Sequence, residues 1–77
     1  MRDYTLSERE LEVARELRAG NSNKVIAYNL GVAESTVKVH VRHIMQKLNV
    51  TNRTQAVLKM MGEKVPERER NDIIWAS

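Results

Sequence analysis

Hydrogen-bond donors recur along residues 34–48, whose sequence is ESTVKVHVRHIMQKL. Lysine, arginine and glutamine side chains donate hydrogen bonds to the edges of base pairs in DNA and to phosphate oxygens. On a helix with about 100° between successive residues, most of these donors share one side. That side holds Ser35, Val39, Arg42 and Gln46, with Lys38 and His43 at its edges. The spacing therefore predicts a surface that binds a polar, anionic partner.

The opposite side of this helix is apolar. Val37, Val41, Ile44 and Leu48 fall within roughly 60° of one another, with Met45 at the border. A helix that packs on one side and presents donors on the other fits the major groove of DNA. Val39 could then touch a thymine methyl group, and the first turn, with Ser35 and Thr36, could face a phosphate. The alternative interpretation is a solvated face on an ordinary helical bundle.

The charge distribution bears on this choice. The net charge of the whole chain is only +3. Residues 22–53, however, hold five cations (Lys24, Lys38, Arg42, Lys47 and Arg53) against the single acid Glu34. A concentrated positive field of this kind favours a polyanionic partner.

Length and composition limit the other possibilities. The 77 residues suffice for one small domain, and the absence of cysteine excludes disulfides and thiolate metal sites. No apolar run approaches the length of a membrane span, and the first residues, MRDYTLSERE, are too charged for a signal peptide. We therefore expect a cytoplasmic protein without a cofactor.

Three further helices are predicted around the donor-bearing one. The first is capped by Ser7, with Glu10 completing a capping box, and stops at Gly20. The second runs from a Ser22 cap to Gly31, and the fourth from an Asn52 cap to Gly62. The predicted packing side of the first helix is Leu11, Ala14 and Leu17, with Leu6 and Val13 nearby. The packing side of the second helix is Val25, Ile26 and Leu30, and that of the fourth is Val57, Met60 and Met61. The acids of the first helix are expected to form a solvated face with local pairs to Arg9, Arg15 and Arg18. These acids are Glu8, Glu10, Glu12 and Glu16.

The connection between the second and third helices is very short. Only the residues GVA, 31–33, separate them. Two helices joined by about three residues including a glycine cross at a steep angle, which is the helix-turn-helix arrangement. Ala27 suits the close approach of the two helices at such a crossing.

Four motifs in this chain resemble one known family. They are LSERELEV, GNSNKVIAYNL, ESTVKVHVRHIMQKLNV and NRTQAV, within residues 6–57. Together they closely resemble the LuxR/FixJ-type helix-turn-helix, especially the output domains of NarL-like response regulators. The resemblance implies an all-α fold, a four-helix bundle containing a helix-turn-helix without a wing, and a role in transcription regulation through sequence-specific binding of double-stranded DNA.

The resemblance also assigns roles to particular residues. Helix 3 would enter the major groove, where Lys38, Val39 and Arg42 face bases or flanking phosphates. Thr36 and Lys47 would contact the DNA backbone, with Lys24 a weaker candidate. The fourth helix would form a homodimer contact through Thr54 and Leu58, with Met61 close by. His43 could approach a phosphate or remain solvated.

The sequence departs from the family pattern in three places. Lys59 lies beside the proposed dimer face, where related domains can be more apolar. Ala33 stands where the family usually has the Ser or Thr that caps the recognition helix. The tail beyond Gly62 has no counterpart, so we expect a domain at 1–62 and a C-terminal extension at 63–77, either a short helix or disordered. The extension carries Pro66 and a small apolar group near its end.

Three other functions have weaker support in the sequence. His40 and His43 are three residues apart but lack a third ligand nearby, so a metal site is not expected, and His40 is expected to make a structural hydrogen bond. No nucleophile has a base near it, which argues against an enzyme. The remaining alternative is a protein-interaction module that binds an RNA polymerase subunit or another regulator, with DNA binding weak or lost.

Overall fold

The computed structural model describes residues 6–62 of the chain. It contains four helices, α1 (Glu8–Arg18), α2 (Asn23–Leu30), α3 (Glu34–Leu48) and α4 (Arg53–Met60), and no strand in the described residues. The predicted all-α, four-helix architecture is confirmed. The predicted C-terminal extension lies outside the described residues.

Side-chain caps define the starts of three helices, as predicted. Ser7 and Glu10 form the full capping box: the Ser7 hydroxyl accepts from the Glu10 amide at 3.1 Å, and the Glu10 carboxylate accepts from the Ser7 amide at 3.0 Å. Ser22 accepts from the Val25 amide and Asn52 from the Gln55 amide. Each bond satisfies one amide that a helix start would otherwise leave without a partner.

The turn between α2 and α3 depends on one left-handed residue. Gly31 has a φ of +70°, and its amide bonds back to the carbonyls of Ala27 and Tyr28. Only glycine adopts this conformation without steric cost, so the chain can reverse within three residues and start α3 at once. Ala27 is buried at the crossing, as predicted for a close helix contact.

Helix α3 lies at the centre of the molecule and contacts each of the other three helices. Its predicted apolar stripe is buried as expected. Val37, Ile44 and Leu48 are completely inaccessible to solvent, and Val41 and Met45 are nearly so. Because this stripe is buried and α3 contacts three other helices, the orientation of α3 about its own axis is fixed.

Three predicted packing residues, Leu11, Val25 and Met61, are exposed, so their assignment to the core was wrong. Leu11 and Val25 are each 43% exposed. In α1 the buried row is Glu10, Val13, Ala14 and Leu17, which begins one position earlier than the predicted row. This rotation brings the Glu10 carboxylate to α3 and turns Leu11 outward.

The fourth helix packs more closely than its sequence suggested. Its one fully buried residue is Ala56, which was not predicted; Val57 and Met60 are partly buried against the core, and Met61 is 58% exposed. The small Ala56 side chain lets the helix backbone approach the core directly. Two long cations add to this contact: Lys59 donates to the Leu48 carbonyl, and Arg53 donates to the Asn21 carbonyl.

None of the four described helices is long and apolar enough to span a bilayer.

The position of α3 depends on its buried stripe, and this is testable. Ile44→Ala removes a fully buried side chain and should lower the free energy of unfolding by about 2–5 kcal/mol, through lost transfer energy and a residual cavity. Urea denaturation followed by circular dichroism measures this. Tyr28→Ala, at a residue 86% exposed, is the matched control and should change stability little. Equal losses in both variants would contradict the assigned core.

Candidate nucleic-acid interface

All the predicted base- and backbone-contacting residues are exposed. On α3 these are Ser35, Thr36, Lys38, Val39, Arg42, His43 and Lys47, and on α2 Lys24. The exposed surface of α3 is therefore a row of donors around Val39, which is 43% exposed. The side chains that anchor the helix lie on its opposite side, so the donors are presented by a rigid element.

The first turn of α3 has no side-chain cap. Ala33 makes no capping hydrogen bond, although its carbonyl accepts from the amides of Thr36 and Val37. Within the described residues the amides of Glu34 and Ser35 have no acceptor. These two amides and the adjacent hydroxyls form a group of donors at the positive end of a helix dipole, which is suited to a phosphate.

One flank of the donor row is tied to α1 by an acid. The Glu10 carboxylate accepts from the Lys47 ammonium at 2.7 Å and lies 3.7 Å from Nδ1 of His43. Glu10 is only 5% exposed, so its predicted place on a solvated face was wrong. The structure thus brings His43 and Lys47, two predicted DNA contacts, together around one buried carboxylate.

The Glu10 pKa reflects two opposing effects. Burial acts to raise the pKa, because it penalises the charged carboxylate. The hydrogen bonds from Lys47 and from the Ser7 amide, together with the charges of Lys47 and His43, act to lower it. The net result is a pKa below the ordinary value of 4.5. The carboxylate is therefore charged in the folded protein and holds the C-terminal half of α3 against α1.

The other acids of α1 are less buried than Glu10. Glu12 pairs with Arg9 at 2.9 Å on the exposed surface, which is the local pairing expected. Glu16 accepts instead from the amides of the Asn21 and Asn29 side chains, and these bonds lower its pKa. They join α1 to α2.

The opposite flank of the donor row borders a cavity. Lys38 and Arg42 line a space of about 550 Å³ between α3 and the start of α4, whose other walls include Asn52 and Arg53. Among its described lining residues there is no acid. The two flanks of α3 therefore differ: one meets a carboxylate, and the other faces an open cationic cavity.

His40 differs from the expectation. Its Nδ1 is buried yet has no hydrogen-bond partner, so the predicted structural hydrogen bond is not found at this atom. Within residues 6–62, no group of three or more acidic or histidine side chains could hold a metal ion.

The predicted dimer residues share an exposed surface on α4. Thr54 is exposed, Leu58 is 41% exposed and Met61 is 58% exposed. Apolar side chains of this size on a surface are consistent with a weak protein contact, though single ones are common on monomers.

Two residues important for the site were missed from the sequence. Glu10 was assigned to the helix cap and to a solvated face, but it also begins the row Glu10, Val13, Ala14 and Leu17 that follows helical spacing. Arg53 was counted only as charge, although a cation in the first turn of a helix opposes the helix dipole and needs a compensating contact. The unfavourable position of this cation was the sequence signal that Arg53 makes a contact elsewhere in the fold.

Comparison with known proteins places these features in a family. The sequence profile GerE, described as "Bacterial regulatory proteins, luxR family", matches residues 4–60. The chain is 55% identical over 53 residues to the glycerol metabolism activator of Pseudomonas putida. It is 48% identical over 59 residues to the nitrate/nitrite response regulator protein NarP of Escherichia coli K12, and 46% identical over 56 residues to the transcriptional regulatory protein DegU of Brevibacillus brevis.

These matches cover most of this chain but a small part of each relative. They span 69%, 77% and 73% of the chain, and 24%, 27% and 24% of the respective relatives. The chain therefore spans about a quarter of the length of these proteins. The activities of the whole relatives are not carried over with the match.

The Glu10 contacts predict a loss of stability in acid. A pKa lowered by folding stabilises the native state above the unfolded value of about 4.5, and this contribution disappears as the pH falls through the lower folded-state pKa. Glu10→Gln should be about 1–3 kcal/mol less stable at pH 7, because it leaves the Lys47 contact weakened in a buried position. Between pH 5 and pH 3 its free energy of unfolding should fall less than that of the unsubstituted chain. Ordinary carboxyl groups have pKa values within roughly this range, 3–5.

Urea titrations at a series of pH values measure this difference. Glu12→Gln is the matched control, since Glu12 is paired only at the exposed surface, and it should keep the full acid dependence. An acid dependence of Glu10→Gln equal to that of the unsubstituted chain would rule out this role for Glu10.

Proposed function

The chain belongs to the luxR family of bacterial regulatory proteins, whose helix-turn-helix is a DNA-binding domain of transcription regulation, and from this premise we propose how this copy reads DNA. Helix α3 enters the major groove of a duplex, and α2 supports it from behind. The proposed activity is sequence-specific binding of double-stranded DNA rather than catalysis. The proposed location is the cytoplasm.

One observation carries this proposal. The fully buried residues Val37, Ile44 and Leu48 hold one side of α3, while Lys38, Val39 and Arg42 project from the other. An α-helix has the diameter to enter the major groove, and its exposed side then meets the base edges. Because α3 is anchored along its whole length, its donors keep a fixed spacing relative to the bases.

The three central side chains differ in what they can recognise. Lys38 and Arg42 can donate to guanine O6 and N7, and Arg42 can do so with two parallel bonds. Val39 offers an apolar contact for a thymine methyl group. Thr36 and Ser35, at the uncapped start of α3, are placed to contact a phosphate, which sets the register of the helix without reading sequence.

Electrostatic attraction supports the same partner. Lys24, Lys38 and Arg42 are all exposed on the helix-turn-helix. Phosphate neutralisation by such residues releases counterions, so the affinity should fall steeply as salt is added.

We further propose that the domain binds as a homodimer through α4. Leu58 and Met61 are exposed, and Thr54 lies beside them one turn earlier. A small self-complementary patch of this kind can form a two-fold contact when two half-sites on DNA hold the domains together. The area available is small, so dimerisation should be weak without DNA.

Substitution of the central donors tests base reading. Lys38→Ala and Arg42→Ala should each weaken binding to a specific duplex by about 1–3 kcal/mol and weaken binding to random duplexes less. The specific duplex is obtained by selection from random DNA, and affinity is measured by fluorescence anisotropy at fixed salt. Arg15→Ala, which removes the same charge from α1, is the control. Equal losses on specific and random DNA would contradict base reading, and unchanged chemical shifts in α3 on adding duplex DNA would favour a protein-interaction module.

Substitution on α4 tests the homodimer. Leu58→Glu should abolish cooperative binding to a duplex with two half-sites, because a charge replaces an apolar contact, while affinity for a single half-site stays within about twofold. Leu11→Glu is matched in chemistry and in exposure, 43% against 41%, and should leave cooperativity intact. Gel-shift titrations on one-site and two-site duplexes separate these outcomes. Persistent cooperativity in Leu58→Glu would refute a contact through this residue.

A further inference from the structure

The cavity between α3 and the start of α4 places positive charge from two helices beside the donor row of α3. Lys38 and Arg42 form its α3 wall and Arg53 its α4 wall. The described lining residues include three cations and no carboxylate. Like charges that share a cavity repel one another unless a counter-charge is present, so the arrangement favours an anion.

Arg53 strengthens this argument because its charge is partly buried and lacks an acidic partner. Its guanidinium donates to the Asn23 side-chain oxygen and to the Asn21 carbonyl, both of them neutral acceptors. Burial lowers the pKa of Arg53 below its ordinary value. No ion pair to Arg53 occurs among residues 6–62. A guanidinium has five N–H donors, so two bonds leave others to receive a ligand in a fixed orientation.

The start of α4 supplies further donors at the same place. Asn52, the cap of α4, lines the cavity, and its side chain accepts from the Gln55 amide. The Gln55 side chain in turn accepts from the amide and hydroxyl of Thr51. These bonds fix the backbone of the turn and leave the first amides of α4, which have no acceptor within the helix, beside the cationic side chains.

A second cavity of the domain does not share this character. It lies between the end of α1 and α4, and it is also lined by Arg53, together with Arg18 and Lys24. The Glu34 carboxylate forms part of its wall and offsets the positive charge. Of these two cavities, the one beside α3 is therefore the better anion site.

We propose that the cavity formed by Lys38, Arg42, Arg53 and the start of α4 binds one phosphate group, and that the phosphate belongs to the backbone of the DNA that α3 reads. This inference rests on the proposed function and adds to it. It assigns Arg53 and Asn52 to the binding surface, where neither was predicted from the sequence.

The position of the cavity identifies the source of the phosphate. Lys38 and Arg42 belong both to the cavity wall and to the exposed row of α3. A helix in the major groove has a phosphate backbone along each flank. On the α1 flank, Glu10 already engages Lys47, whereas on the α4 flank the described lining holds no acid to compete with a phosphate. The backbone should therefore be held more tightly on the α4 side.

The test introduces one negative charge without removing the helix cap. Asn52→Asp keeps a good N-cap residue, so α4 stays formed, but it places a carboxylate in the cavity. For the full chain, the slope of log K against log salt concentration should decrease in magnitude by about 1, and affinity should fall equally on specific and random duplexes. Asn52→Ser keeps the cap without charge and should retain the slope. Arg15→Gln lowers the net charge equally from α1 and should also retain it.

A second measurement works without DNA. Sodium sulfate, compared with sodium chloride at equal ionic strength, should shift the backbone amide resonances of Thr51, Asn52 and Arg53 in the unsubstituted chain. The shifts should persist in Asn52→Ser and Arg15→Gln and be lost in Asn52→Asp, whose helical circular dichroism should be unchanged.

The outcomes separate the possible failures. If the chain binds no duplex at any salt concentration, the proposed function fails. If it binds DNA but Asn52→Asp leaves the salt slope unchanged, DNA reading stands and the backbone phosphate is not in this cavity. In that case sulfate-dependent shifts would assign the cavity to a free phosphate and overturn the DNA source. Absence of sulfate-dependent shifts together with an unchanged slope would overturn the anion site itself.

Discussion

Burial of one side of α3 is the constraint on which the rest of the domain depends. Val37, Ile44 and Leu48 are inaccessible to solvent, and each is covered by neighbouring helices. A fully buried aliphatic side chain contributes about 1.5–3 kcal/mol of transfer free energy. Rotation of α3 by a single residue would expose this stripe and bury charged donors, both at a cost comparable with the stability of the whole domain. The packing therefore also determines which side chains face outward.

Electrostatics then make the exposed side of α3 asymmetric. On one flank the buried Glu10 carboxylate attracts Lys47 and His43, and the bonds that lower its pKa also keep it charged. On the other flank Lys38 and Arg42 meet Arg53 across a cavity with no described acid. Two cationic edges that look alike in the sequence thus have different surroundings. A partner with regularly spaced negative charges would be bound more strongly at one edge than at the other.

Much of this arrangement could be predicted from the sequence because it depends on local chemistry. The caps Ser7, Ser22 and Asn52 act within three residues of themselves, and the stripe of α3 follows directly from helical spacing. The glycine between α2 and α3 likewise defines its turn by its own conformation. Each of these features can be recognised without knowing what lies across the core.

The errors arose where a residue's environment is set by a distant part of the chain. Glu10 is buried beside α3, where Lys47, 37 positions away, supplies a counter-charge, and the same orientation of α1 leaves Leu11 exposed. Arg53 is held by Asn21, 32 positions away. Helical spacing alone treats a glutamate as an outward residue and a leucine as an inward one. Here the contacts across the core reverse both expectations, since Glu10 is buried and Leu11 is exposed. One sequence does not reveal which distant residue will be the partner.

These long-range polar contacts have more weight here than they would in a larger protein. The described domain builds its core from twelve buried apolar residues, most of them valine, isoleucine, leucine or alanine. A core of this size leaves a small margin over chain entropy. Hydrogen bonds from Lys47 to Glu10, Arg53 to the α1–α2 connection and Lys59 to the end of α3 each contribute about 1 kcal/mol. Because each of them joins α3 or α4 to a different element of the fold, they add little to any single helix. They act mainly to fix the angles between helices, which is the property that a surface reading regularly spaced bases requires.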